Sequence, residues 1–334
     1  MSSLSSWISS SFRPWHPAPW APASGFLGPP SDNSVAWDAH SAGLRGPAGA
    51  SGSGHTEARM RILISADVEG ASGVVSLDGC DADGCLAARR WLTGDVNAAV
   101  EGAMEAGATS FVLHDGLRQG QETVLLDELH PAVEVVRGRP IILFEEADLA
   151  RGYDGLFLVG MHKRGGQGRS LLPSMVAEVR LNGQAVGEPE LAAALAGAYG
   201  IPTLLVTGDD RACLDVQRWS GGKIEAGVVK YALSRGTARC LPLIEARERI
   251  RTAARQAVER AAKARPLAPS SPVTLEVEFA EREVARRVAW MPPLGYDGDR
   301  TVRYTNGDYR QAHRALLAML AIATSPLAAG CQNA

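Results

Sequence analysis

Asp67 and Glu69 stand two residues apart at the end of the apolar run RILISA (61–66), within the stretch Asp67-Val68-Glu69-Gly70-Ala71-Ser72-Gly73. Other polar residues recur in the same setting. His114 and Asp115 follow SFVL (110–113), His162 follows GLFLVGM (155–161), and Asp209 and Asp210 follow LLVTG (204–208). Carboxylates and imidazoles gathered in this way are hard oxygen and nitrogen donors that suit Zn²⁺ or Mn²⁺. Two such ions sharing one carboxylate can activate water and polarise a carbonyl. The competing reading of an Asp-x-Glu after a strand is loop capping, and that of Asp209-Asp210 is the cap of the following helix. His162 precedes Lys163-Arg164-Gly165-Gly166, which exposes it, whereas His114 is either a donor or a satisfied strand-end histidine. His130 and His313 read as structural. Lys230 reads as either a solvated strand-end charge or a substrate contact.

The elements that must present these groups follow from periodicity. Short β-branched runs at 61–66, 110–116, 155–161 and 201–210 read as strands, and apolar spacing over 86–106 and 190–199 as helices, with Gly107 as a C-cap. Residues 176–187 alternate around Asn182-Gly183, a hairpin signal, and Glu188 opens the next helix. Strands alternating with helices predict an α/β fold with a mostly parallel sheet flanked by helices over 60–265. A helix over 243–265, a strand at 273–280 and a helix over 308–323 predict a smaller α+β C-terminal portion, 266–334. In open α/β sheets ligands gather at the carboxyl ends of the strands, where Asp67, Glu69, His114, Asp115 and His162 fall.

Composition narrows the function classes. Residues 1–59 hold four of the seven Trp, seven of the nineteen Pro and no Lys, without period. Such a segment buries too little apolar surface to offset its ordering entropy, so it reads as disordered, or as an extension upstream of a start at Met60. It carries three basic and three acidic residues, which leaves the remainder at the chain's net charge of −3. That balance excludes a strongly basic nucleic-acid binder, and no apolar run reaches the ~18–20 residues of a membrane span. Five scattered Cys without CxxC spacing argue against a disulfide framework or a Cys-rich zinc site and for a reducing cytoplasm. The Gly-rich stretches match no phosphate loop or dinucleotide fingerprint, and there is no GxSxG elbow.

Taken together, the run 65–73 (SADVEGASG) resembles the opening S-x-D-x-E-G-x-S-G of the zinc-dependent D-aminopeptidases. The likeness continues through Gly160-Met161-His162, Asn182-Gly183 with Val186-Gly187-Glu188, Gly208-Asp209-Asp210-Arg211-Ala212 and Val228-Val229-Lys230. It covers most of 60–325. The resemblance implies a binuclear zinc peptidase that removes an N-terminal D-amino acid from short peptides and assembles as a ring-shaped homo-oligomer, a decamer. It further implies that Asp67 bridges two metals, that Glu69 completes one site, and that His162 and Glu188 supply further ligands.

Two positions depart from the family. After the second strand the family shows Asn-Asp-Ser-His, whose His is a ligand; here Leu113-His114-Asp115-Gly116-Leu117 has no His at that offset. A donor displaced by two or three residues along an extended segment moves ~7–10 Å. His114 or Asp115 is the substitute donor to consider there, Asp115 also as an acid or base. Pro173 stands where the family carries a catalytic His, leaving Ser174 as a hydroxyl and Lys163 or Lys230 as an assisting cation, none of which titrates near neutral pH as imidazole does. Two readings follow. One is a metallo-aminopeptidase with one or two Zn²⁺ per chain, in which zinc-activated water attacks and Glu69, Asp115 or Glu188 shuttles the proton. The alternative is a catalytically impaired or inactive member acting as a ligand-binding or assembly protein.

Overall fold

The computed structural model describes residues 60–75, 82–115, 122–138, 144, 146–163, 175–234 and 236–325. Residues 1–59 lie outside that set. Strand β1 (Met60–Ala66) leads through the Asp67–Gly73 loop to α1 (Ala82–Glu105), followed by β2 (Ala108–Asp115), β3 (Val133–Arg137), the short α2 (Glu146–Leu149) and β4 (Gly155–Met161). The hairpin β5 (Val176–Leu181) and β6 (Gln184–Val186) turns on Asn182 and Gly183, both at positive φ, 49° and 80°, which is the backbone an Asn-Gly turn supplies. Then come α3 (Glu188–Ala198), β7 (Thr203–Asp209), α4 (Asp210–Ser220), β8 (Glu225–Ser234), β9 (Thr237–Cys240) and α5 (Leu243–Glu259). The chain finishes with β10 (Val273–Phe279), α6 (Arg282–Val288), β11 (Gly295–Tyr296), β12 (Thr301–Asn306) and α7 (Tyr309–Thr324).

Seven strands form the main sheet in the order β3-β2-β1-β4-β7-β8-β9, parallel throughout except for the β8–β9 pair. Strands β4 and β7 are buried along their whole length, because helices cover both faces of a parallel sheet. On one face Ile62, Ile64, Leu113, Phe157 and Leu205 pack with Leu92 and Val96 of α1 and Ile250 and Ala254 of α5. On the other, Leu63, Leu158 and Val206 belong to a core shared with Leu191 and Leu195 of α3, Leu275 and Val277 of β10, and Leu316 and Met319 of α7. The α/β class expected from the alternation is thus the one observed.

A second, antiparallel sheet has the order β11-β12-β10-β5-β6. Along β10, Val273, Leu275, Val277 and Phe279 are buried while Thr274, Glu276 and Glu278 are half-exposed, the two-residue period of a sheet with one covered face. This sheet takes β5 and β6 from before residue 266 and β10–β12 from after it. Helix α3 is sandwiched in the core between the sheets, and every residue from Glu188 to Gly197 is buried. The helix expected over 243–265 stops at Glu259 and gives way to a 3₁₀ turn, Ala261–Lys263.

Candidate metal centre

Strands β1 and β4 are neighbours at which the strand order reverses, with β2 and β3 to one side and β7, β8 and β9 to the other. A crevice opens at the carboxyl ends of the strands at such a switch point. Asp67 and Glu69 emerge from the end of β1 and His162 from the end of β4. One donor atom of each lies within 4.8 Å of the others. The approach depends on Gly70, where a Cβ would overlap the carbonyl oxygens of Gly160 and Met161; Gly160 itself has φ +76° and packs on the Asp67 carbonyl. The Gly of the Asp-Val-Glu-Gly run is therefore a packing requirement as well as a turn residue.

His162 Nε2 stands 3.4 Å from Asp67 Oδ2 and 4.0 Å from Glu188 Oε2. His162 Nδ1 is 2.8 Å from the Lys163 carbonyl oxygen. A carbonyl only accepts, so Nδ1 carries a proton and Nε2 is the ring nitrogen that faces the carboxylates, the arrangement usual for a metal-binding histidine. Asp67 is buried, and its Oδ1 accepts from the Glu69 amide at 3.3 Å. Burial, the charge of Glu69 and then that of Glu188 hold the Asp67 carboxyl well above the usual carboxylate range. Glu188 is the first residue of α3, where the helix dipole favours a negative charge, and Glu190 reaches back to accept from the Gly187 amide at 2.7 Å.

These residues fit a divalent cation. Glu69 Oε1 and His162 Nε2 are buried and make no hydrogen bond among the described residues, although buried polar atoms ordinarily have a partner. A cation between them would satisfy both and offset the crowding of carboxylates around Asp67. Oxygen and imidazole donors of this kind suit zinc.

The remaining expected residues are placed elsewhere. His114 is fully buried with Nε2 2.9 Å from Asp148 Oδ2, beside the Phe144 ring, and is not among the three gathered donors. Asp115 is also buried, with Oδ1 accepting from the Thr123 amide at 2.9 Å and Oδ2 from Arg137 Nε at 2.8 Å. Both oxygens of its carboxylate are thus taken up in tying β2 to its neighbours. Lys230 is not solvated; it is 4% exposed, and its ammonium donates to backbone carbonyls of the Asp67–Gly73 loop and of Val74. Pro173 and Ser174 lie outside the described residues. Asp209 caps α4 through Arg211 N (3.0 Å) and Ala212 N (2.8 Å), as expected, and its other oxygen accepts from Lys163 N at 2.9 Å, steadying the residue after His162.

One buried carboxylate has no counterpart in the sequence reading. Asp95, in the middle of α1, accepts from the Ser72 amide at 2.7 Å. Its sequence signal is its place on the apolar stripe of that helix, between Leu92 and Val96.

A buried carboxylate–imidazole cluster at the switch point of a doubly wound sheet defines an α/β protein built around a candidate divalent-metal centre. The chain belongs to the D-aminopeptidase family, peptidase family M55, whose model matches residues 60–318. It is 28% identical over 272 residues to a D-aminopeptidase of Bacillus subtilis (strain 168), covering 79% of this chain and 98% of that protein. Its fold is similar to the solved structure of the Zn-dependent D-aminopeptidase DppA from Bacillus subtilis, described as a self-compartmentalizing protease. The TM-score is 0.69 at 24% identity, over 80% of this chain and 99% of the other.

Proposed function

We propose that this chain is a zinc-dependent peptidase that removes the N-terminal D-residue of short peptides. The observation that carries the proposal is the convergence of Asp67, Glu69 and His162 donor atoms within 4.8 Å, in a chain of the D-aminopeptidase family. Zinc held there would lend Lewis-acid chemistry, activating water and polarising the scissile carbonyl. Asp67 would be the carboxylate shared between two ions if both are held, as the family resemblance implies. The Lys163 carbonyl keeps the His162 ring in the tautomer that leaves Nε2 as a donor. Glu188 is buried beside them at the start of a rigid helix and is the carboxylate placed to hold or pass a proton, since both oxygens of Asp115 are engaged by Thr123 and Arg137. We further propose that copies of the chain assemble into a homo-oligomer, as the description of the Bacillus subtilis relative as self-compartmentalizing supports.

The test is metal content of the purified full chain together with hydrolysis of D-Ala and L-Ala p-nitroanilides. One or two zinc per chain with turnover of the D-anilide alone is expected. A chain that binds no zinc and turns over neither overturns the proposal.

A second reading, a metal-binding member with impaired catalysis, is favoured by one observation. Asp115 and Lys230, the groups offered in place of the family's imidazoles, are both committed to holding backbone or neighbouring side chains. On that reading zinc is bound but turnover is slow, and Pro173→His raises it.

A further inference from the structure

The loop that carries Glu69 makes few hydrogen bonds of its own. Among backbone pairs within it there are Ala71 N to Val68 O at 3.3 Å and Val74 N to Ala71 O at 3.2 Å, both long. Two buried side chains from distant elements hold it instead. Lys230 of β8 donates from Nζ to the carbonyl oxygens of Glu69 (2.6 Å), Ala71 (3.2 Å) and Val74 (2.5 Å). An ammonium has three protons, so these three acceptors use it fully. Asp95 of α1 accepts from the Ser72 amide between them. Strand β8 is separated from β1 by β4 and β7 in the sheet, so Lys230 reaches the loop from across the switch point.

We propose that Lys230 and Asp95 are positioning residues of the metal centre: by clamping residues 69–74 through four backbone groups they set where Glu69 presents its carboxylate. Resting on the zinc assignment above, the inference adds that the sheet's far side and α1 govern metal affinity without supplying a ligand. The Lys230 ammonium fixes the Glu69 carbonyl, and the Glu69 side chain leaves the same backbone unit toward Asp67 and His162. Outer groups that orient ligands typically change metal affinity by about 10–100-fold when removed.

The measurement is the zinc Kd of the full chain by competition with a chelator, on variants whose folding is verified by circular dichroism. Lys230→Met keeps the stem and removes the three donors; its zinc Kd is expected to weaken by about 10–100-fold. Asp95→Ala is expected to weaken zinc by about tenfold, while Asp95→Asn, which keeps an oxygen for the Ser72 amide, rescues it to near the wild-type value. Val277→Ala, a cavity in the second sheet, is the control for general destabilisation and leaves the Kd unchanged. Wild-type zinc affinity in folded Lys230→Met and Asp95→Ala overturns the clamp while leaving the metal centre intact. Equal loss in Val277→Ala overturns it too, because affinity would then follow stability alone. Absence of zinc binding by the wild-type chain overturns both the centre and the clamp. If Lys230→Met does not fold, the Asp95 pair decides.

Discussion

His162 Nε2 lies 3.4 Å from Asp67 Oδ2, although α1, β2, β3, α2 and β4 intervene between them in the chain. Adjacency of β1 and β4 in the sheet creates this pair, and each partner stands just past the carboxyl end of its strand. Asp67→Ala removes the most deeply buried of the three gathered donors. Zinc stoichiometry by elemental analysis is expected to fall to zero. The metal-free variant is expected to be at least as stable as the metal-free wild type, since a buried carboxylate crowded by Glu69 and Glu188 has been removed. Full zinc loading of the variant would refute the assignment.

Asp115→Ala separates a structural carboxylate from a catalytic one. Losing it leaves the Thr123 amide and the Arg137 guanidinium short of their acceptor, a cost of about 1–3 kcal/mol in chemical denaturation. Zinc stoichiometry is expected to stay at the wild-type value. Loss of metal from a folded Asp115→Ala protein would return that residue to the site.

Gly70→Ala should be poorly tolerated, because its methyl group would meet two carbonyl oxygens of β4. Overpacking of this kind costs about 1–3 kcal/mol or more. The loop that carries Glu69 must move away from the end of β4 to relieve it, so zinc affinity is expected to fall together with Tm. A variant with wild-type Tm and affinity would show that Gly70 and the end of β4 are not in the contact described.

Stability against pH contains two opposed contributions. Burial raises the Asp95 carboxyl to about 6 despite the Ser72 hydrogen bond. The stability this supplies is full below the unfolded value near 4 and lost as pH rises through 6, worth about 3 kcal/mol. Burial pushes His313 of α7 down to about 4, so its contribution is present above the unfolded value near 6.5 and lost as pH falls toward 4, by a similar amount of about 3 kcal/mol. The two nearly cancel between pH 4 and 6 in the wild type. Urea denaturation across that range should show a steeper acid loss in Asp95→Asn and a shallower one in His313→Gln. Parallel curves for all three proteins would contradict both shifts.

Asp67, Glu69 and His162 were legible in the sequence because each stands within three residues of the end of a continuous apolar run, and parallel strands all end on the same side. Glu188 was legible only through its family motif, since its path to the site runs through a hairpin and a helix start. The partners of His114, Asp115 and Lys230 were not legible, for one physical reason. They are remote in sequence: Asp148 for His114, Arg137 for Asp115, and a loop near residue 70 for Lys230. Periodicity reports which face a residue occupies and says nothing of which group it meets there. Strand β3 and the β8–β9 pair carried weak alternation, and the strand order that creates the switch point left no local mark at all.

Helix α3, buried along its length between the two sheets, begins with Glu188 at the centre. The antiparallel sheet on its far side borrows β5 and β6 from the middle of the chain and β10–β12 from its end. The centre is for this reason not a portable module: no cut of the sequence near residue 266 yields a fragment that retains both walls of the helix delivering Glu188. Grafting the Asp-Val-Glu-Gly loop onto another doubly wound sheet would transfer two donors and leave the third carboxylate behind.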